Sequence, residues 1–533
     1  MKRFGRRTFL TFVSASAALL QLSGLPAAQA QTPKNGGTLV ATWGGFEPQA
    51  LFVPAGGGGA PEFTSTKVLE PMLTLDSDLN FHPALATDVT PASDFLSYKI
   101  KIREGVTWHD GKPLTVDDII FNADKYWKPV VAGPALQFYT GIKQTGPNEV
   151  TVSFSQPTPE FFFKSVLARV LVIPKHLYDG KEFATNPANN VPIGTGPFKF
   201  KEWVRGSHVA YTKNENYWNK GEPHLDNLII RYWRDPSSRT AAMEAGELQM
   251  GVFNPVPAAD IKRLVDSGKF VASSSGYLTS AWASTIEFNS RNPIVKDPLV
   301  RKAIMHAIDK NFVVDVVFSG RAKAGKSFVS STNTKFHTGD VEQYKFDPEL
   351  AKKMLDQAGY PSKNGAPRFS VKLVAAGWFP ENGRIGQYVK QQLEDIGVAV
   401  ELTVPDRPTS FKVIYGDYAF DIAVGNHAAP VELVPVQTNY VTTSGILKGV
   451  PFRNANGYSN PELDAVVAKL AVETDETKRT DLARQFQTIL ARDVPITILA
   501  EIESITVASK QVKGYEHLAN VLADSWSTIW LDR

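Results

Sequence analysis

The chain reads as an α/β protein on three grounds. Helical and extended periods alternate through its second half, and residues 369–404 spell a complete strand–helix–strand unit. The composition is also that of a large folded body. Of 533 residues, 43% are apolar, 11% aromatic and 21% charged, which suits roughly three domains of about 150 residues each. With 31 Phe, 16 Tyr and 10 Trp to bury, the chain is no disordered polymer. It has no cysteine, which removes disulfides, iron–sulfur clusters, thiolate nucleophiles and Cys-type zinc sites.

The amino end predicts export. Lys2, Arg3, Arg6 and Arg7 precede an apolar stretch, Phe9–Leu22, and the small-x-small triplet Ala28-Gln29-Ala30, the three parts of a signal peptide cleaved after Ala30. The apolar stretch is shorter than the roughly 20 residues a bilayer span takes. Arg6-Arg7-Thr8-Phe9-Leu10 resembles the twin-arginine (Tat) motif, departing from its commonest form at Gly5 and Thr11, with general secretion the alternative route. No Cys follows the cleavage site, so no lipoprotein anchor is expected. Without the leader's four positive charges the formal net charge of +3 becomes −1, which gives nucleic acid no footprint. No later run of about 18 apolar residues occurs, so the body is expected to be soluble and periplasmic.

In the body, a polar lead-in runs into a strand over Thr38–Trp43, followed by a loop from Pro54 to Pro61 that contains Gly56–Gly59. Tyr98-Lys99-Ile100-Lys101-Ile102 alternates like a half-buried strand. Thr115 and Asp118 form a capping box ahead of Val116, Ile119, Ile120, Ala123 and Trp127, which share one helical face. Asp297-Pro298 and Asp347-Pro348 each open a helix, the second stopped by Gly359. Asn311–Phe318 reads as the continuation or end of the first of these. A strand at Phe369–Val374, a helix through Ile385, Val389, Leu393 and Ile396, and a strand at Val398–Val404 predict a βαβ unit with two parallel strands and a right-handed crossover.

Several segments together resemble the extracytoplasmic solute-binding proteins, family 5, that serve dipeptide, oligopeptide and nickel ABC importers. The segment from Pro83 through Thr107-Trp108-His109-Asp110-Gly111 to Asp118 resembles the family signature region, and Gly194-Thr195-Gly196-Pro197-Phe198 its interdomain turn. Asn216-Tyr217-Trp218, Gly246-Glu247-Leu248, Glu287-Phe288-Asn289, Val300-Arg301-Lys302-Ala303, Ala307-Ile308-Asp309 and Ala358-Gly359-Tyr360-Pro361 follow in order, so the match covers essentially the whole mature chain. The resemblance implies a two-lobed periplasmic binding protein, class II-like and of cluster C, with an extra domain inserted in the first lobe. Lobe I gathers 35–78, 193–284 and 503–533, the inserted domain takes 79–192, and lobe II runs over 285–502. It further implies a monomer that closes on a peptide or peptide-sized polar solute and presents it to a membrane permease, without a cofactor.

A receptor of this kind needs aromatic faces and a few fixed polar groups, not an acid–base pair. By the family's segments, Phe138 and Tyr139 face the cleft from the inserted domain, and Asn254 and Trp282 from lobe I. Trp378, Arg407, Tyr415, Asn426, His427 and Glu432 face it from lobe II. Each aromatic is equally readable as a core or rim residue, and Arg407 as a solvated turn. Gly56–Gly59 reads as either a close approach to solute or a surface loop. One departure matters. Peptide-binding members commonly carry Trp then Asp in the loop after the strand matching Phe420–Gly425, and here Asn426-His427-Ala428-Ala429-Pro430-Val431-Glu432 has neither. Glu432 is the available substitute, and a sugar, an opine-like conjugate or a nickel chelate stays open.

Other signals are declined. Gly320–Ser327 fits the phosphate-loop pattern G-x4-G-K-S but lacks a strand before it and a helix after it. Nine scattered histidines form no i, i+4 pair, so no metal site is expected. His109-Asp110-Gly111 reads as a turn in preference to a catalytic dyad. No nucleophile elbow or comparable motif surrounds Ser238, Ser290 or Ser327, so a secreted hydrolase is the weaker reading.

Overall fold

The computed structural model describes residues 32–44, 46–54, 59–362 and 365–533. The leader, its cleavage site and Gly56–Gly58 lie outside the described residues. The molecule has two lobes, each built on a mixed sheet.

The first sheet has seven strands. Across it lie Phe270–Ser273, Thr506–Ser509, Met250–Val252, Thr38–Trp43, Asn227–Arg231, His208–Lys213 and Phe198–Val204. Thr38–Trp43 forms over the predicted residues and pairs in parallel with Asn227–Arg231 and Met250–Val252. Flanked on both sides, it buries Leu39, Ala41 and Trp43. Part of the expected glycine-rich loop is instead helical, Gly59–Ser65. A Cβ on Gly59 would lie 2.8 Å from the Trp43 ring, so only glycine lets this turn start so close to the sheet.

A separate sheet of four strands, Ala86–Pro91, Ser97–Ile102, Glu149–Phe154 and Tyr139–Gly146, packs Tyr98, Ile100, Val150 and Val152 against Phe163 and its neighbours. The capping box predicted at Thr115 is present. The helix behind it changes character: Val116–Phe121 is α-helical, whereas Asn122–Val131 is a wider π-helical coil containing Pro129. Proline has no N–H to give an α-helical ladder, which favours the altered winding. Where the subdomain's Val172 N–H donates to Glu70 O at 2.8 Å, the Glu70 carboxylate is buried. Glu70 accepts from Tyr217 Oη at 2.7 Å, Thr195 Oγ1 at 2.7 Å and Trp218 Nε1 at 3.0 Å.

The second lobe carries a six-stranded sheet ordered Ala322–Ala324, Ile496–Ile502, Trp282–Phe288, Ile422–Ala428, Phe369–Ala375 and Val398–Thr403. The predicted βαβ unit forms: Phe369–Ala375 and Val398–Thr403 are parallel and in register, joined by the helix Pro380–Asp395. Ile385, Val389 and Leu393 face the core of Ile286, Phe288 and Val424. Asp297 and Asp347 cap their helices, accepting from the N–H groups of Leu299 and Leu350. One expectation is corrected. Residues 310–317 do not continue the helix Pro298–His306, because Asp309 starts a new helix by accepting the Asn311 N–H at 2.9 Å.

Two crossover segments, 274–281 and 503–505, join the sheets. Trp282 opens the second sheet, so the expected boundary at 284 falls within a strand.

Candidate functional site

Strand direction decides where a solute can sit. In the second lobe, Phe369–Ala375 runs parallel to both Val398–Thr403 and Ile422–Ala428. The carboxyl ends of these strands lead into Trp378, Arg407 and His427-Ala428, and a bridge from Gly377 to Asp406 holds the first two turns side by side. Trp282, paired with Ala428 and Ile502, marks this as the edge from which both crossovers leave. The first lobe does the same. Trp43 and Val252 end parallel strands at the edge where Ser273 pairs with Thr506. Each sheet therefore turns the carboxyl ends of its parallel strands toward the other, the place where open α/β sheets bind ligands.

The crossovers are tied at that edge. Asn254 donates its N–H to Ile505 O at 3.0 Å and accepts the Ile505 N–H on Oδ1 at 2.9 Å. Tyr277 Oη accepts the Phe253 N–H at 2.7 Å and shares a 2.8 Å hydrogen bond with Thr506 Oγ1. Phe253 and Asn254 both hold positive φ, 58° and 53°, a conformation Asn tolerates better than most residues. Asn254 thus grips the return crossover.

On the second lobe an aromatic cluster forms. Trp378 stacks on Phe411 with centroids 5.2 Å apart, Phe452 lies 5.7 Å from Phe411 edge-on, and Tyr415 is 5.9 Å from Phe452. Arg407 opens the short helix Arg407–Phe411, is exposed, and reaches to 5.7 Å from the Phe411 ring. Trp282 meets Phe379 edge-on at 6.0 Å. The sequence reading placed Trp378, Arg407 and Tyr415 separately; the fold brings them together. It missed Phe411 and Phe452, whose partners lie up to 74 residues away, and Trp43, stacked on Phe253 at 6.2 Å. For Trp43, the strand end Trp43-Gly44 was the available signal.

Asn426 and His427 do not lie in a loop. They complete the strand Ile422–Ala428, because both its neighbours pair to its end. Asn426 is fully buried and donates to Ser284 Oγ at 3.0 Å, with its Oδ1 lacking a partner among the described residues. His427 Nδ1 lies 2.7 Å from Thr285 Oγ1, and its ring meets Tyr440 edge-on at 4.3 Å. Burial lowers the His427 pKa to about 3, so the imidazole is neutral. By strand alternation Glu287 shares that face. Burial raises its pKa to about 7, and a long contact from Asn456 opposes the shift.

The remaining candidates have internal partners. Glu432 accepts from Arg479 Nη2 at 3.0 Å and from the Leu433 N–H at 3.0 Å. Phe138 and Tyr139 pack against the core of the four-stranded subdomain, and the Tyr139 hydroxyl donates to Asp124. His109 Nε2 bonds Gly196 O at 2.9 Å, while Asp110 pairs with His176 at 2.8 Å, so the two neighbours form no dyad. Gly325, inside the phosphate-loop lookalike, lies against Ile498, where a Cβ would come within 2.4 Å. No cluster of three or more metal-ligating side chains, and no helix long and apolar enough to cross a membrane, occurs among the described residues.

Known proteins share this plan. The chain is 26% identical over 526 residues to the oligopeptide-binding protein AppA of Bacillus subtilis, covering 95% of this chain and 94% of that one. The structure of AppA with a nonapeptide superposes with a TM-score of 0.78 at 24% identity, over 94% of this chain and all of that one. The glutathione-binding protein GsiB of Pectobacterium atrosepticum is 26% identical over 84% of this chain and 85% of its own. NikZ of Campylobacter jejuni, solved with Ni(L-His), superposes at TM-score 0.77 and 20% identity over 92% and 99% of the two chains. The family model described as bacterial extracellular solute-binding proteins, family 5 Middle, matches residues 80–445, and the chain belongs to that family.

Proposed function

We propose that the protein is the solute-binding component of an ABC importer. It takes a peptide or peptide-sized polar solute between its lobes and hands it unaltered to a membrane permease. One observation carries the reading: both sheets direct the carboxyl ends of their parallel strands to the edge spanned by two crossovers. A solute held there touches both lobes only when they close, so occupancy and shape are linked. The peptide class draws support from relatives named for an oligopeptide and for glutathione, which align over most of their length.

Solute contact is assigned first to Trp282, Trp378, Arg407 and Tyr415, with Asn426 and His427 shaping the floor. Phe138, Tyr139 and Glu432 are placed at the periphery and Asn254 at the pivot. The division into lobe I (35–78, 193–284, 503–533), inserted domain (79–192) and lobe II (285–502) belongs to the same proposal. So do a monomeric state, no cofactor, no catalysis, and export by the twin-arginine route with cleavage after Ala30. Amino-terminal sequencing of the secreted protein tests the last point, with Gln31 expected first.

Calorimetric titration with di- to pentapeptides, glutathione and nickel–histidine tests the ligand class. Heat with peptides supports it, and heat with the chelate alone overturns it. Mass spectrometry of the released solute separates a receptor from a hydrolase, because a hydrolase returns fragments.

A further inference from the structure

Two cationic side chains of the second lobe reach across to the rest of the molecule, to different partners. Arg321 donates through Nη2 to Ala258 O at 2.7 Å, and its own carbonyl accepts the N–H of Glu503 in the return crossover at 3.2 Å. It sits at the pivot, where rotation of one lobe against the other moves atoms least. Lys335 meets the inserted subdomain instead. Its ammonium lies 3.6 Å from the ring centroid of Phe161 in the four-stranded subdomain, and 2.5 Å from Glu476 in its own lobe.

The Lys335 contact is built, not incidental. The irregular segment around it is pinned from several sides. Asn333 donates to Pro430 O at 3.1 Å and Val431 O at 2.8 Å, Ser331 N–H donates to Glu501 at 2.9 Å, and Gln487 donates to Phe336 O at 2.7 Å. Glu476, in the first turn of the helix Glu476–Asp493, pairs with the ammonium. The lysine side chain is 21% exposed, so its attraction to the ring is less screened than at an open surface. On the other side, Phe161 lies in the first turn of the helix Glu160–Leu167 and is held edge-on by Phe81 at 5.4 Å. A cation positioned on one body thus meets a ring positioned on the other.

We propose that Lys335 and Phe161 form the latch of the clamshell, a positioning pair that holds the second lobe against the inserted subdomain and sets how readily the cleft opens. This rests on the reading of the molecule as a closing receptor but not on the identity of its solute. The four-stranded subdomain then acts as a strike plate. Its core supports Phe161, and the ring's attraction for the ammonium biases the closed state even when the cleft is empty.

The test needs no solute. Because the chain has no cysteine, exposed Lys99 and Lys469 can be replaced as a Lys99→Cys, Lys469→Cys pair, labelled, and the inter-lobe distance distribution measured in the solute-free protein. Lys335→Met and Phe161→Leu are each expected to move the closed-to-open ratio toward open by roughly three- to thirtyfold. The double variant should add little to either single change, the mark of a direct interaction, and Lys335→Arg should stay near wild type. Distributions that superimpose on wild type, or single effects that simply add, would overturn the latch. If one single variant fails to fold, the other, on the opposite body, still decides. A peptide titration without heat refutes the peptide reading and leaves this result intact, and the converse also holds.

Discussion

Glu432 and His427 each have one buried side-chain partner, Arg479 and Thr285, while Glu432 Oε2 has none among the described residues. Arg479 is fully buried and Glu432 is 9% exposed, and they pair at 3.0 Å. Removing one member leaves the other charge uncompensated, which costs about 3–5 kcal/mol. Arg479→Met should therefore lower unfolding free energy by about that amount in urea titration. A loss below about 1 kcal/mol with weakened solute binding would instead make Glu432 a solute group. His427 sets a pH dependence. Its folded pKa, about 3, lies below the ordinary 6.5, so its contribution is fully present above pH 6.5 and is lost as pH falls toward 3, at up to about 1.4 kcal/mol per unit. Glu287 acts with the opposite sign: its pKa is raised from 4.5 to about 7, and its contribution is lost as pH rises through that range. His427→Gln keeps a partner for Thr285 and removes the titration. The stability of wild type relative to this variant should be constant above pH 6.5 and fall below it; parallel curves down to pH 4 would show that the buried histidine is not the source.

Elements that announce themselves locally were legible before the fold was known. The strands Thr38–Trp43 and Phe369–Ala375 and the caps at Asp297 and Asp347 each depend on side chains within a few residues. The turn Gly194-Thr195-Gly196 was visible as a landmark, but its reason was not, because the reason is a distant backbone. A Cβ on Gly194 would lie 1.9 Å from Val68 O, and one on Gly196 2.6 Å from the same atom. The turn thus docks on the chain just before Glu70, whose carboxylate accepts from Thr195 within the turn. Gly194→Ala must push that backbone apart and break the hydrogen bond from Gly196 N to Val68 O, with an expected loss of several kcal/mol by the overpacking route. Gly111→Ala is the comparison. Its Cβ would meet nothing within 4 Å, and only its φ of +87° resists the change, so the cost should be about 1 kcal/mol. Equal melting temperatures for the two variants would contradict this account of the turn.

Connection across the whole molecule was the part that local pattern could not supply. The first sheet takes neighbouring strands from residues 250–252 and 506–509, and the second sets 282–288 between 422–428 and 496–502. No local period records such pairings, so the aromatic cluster around Trp378 and the hold of Asn254 on Ile505 emerged only from the assembled chain. That architecture carries a prediction of its own. In the proposed closure the lobes turn about the two crossovers, tied by Asn254 and Tyr277, and a solute bridging both lobes favours the rotated, compact state by its contacts there. A solute at 100 times its Kd should raise unfolding free energy by about 2.7 kcal/mol and reduce the radius of gyration in small-angle scattering. The two effects are separable. Stabilisation without compaction would place the solute on one lobe alone, outside the facing strand ends, and would remove the physical link between an occupied receptor and a shape that a permease can recognise.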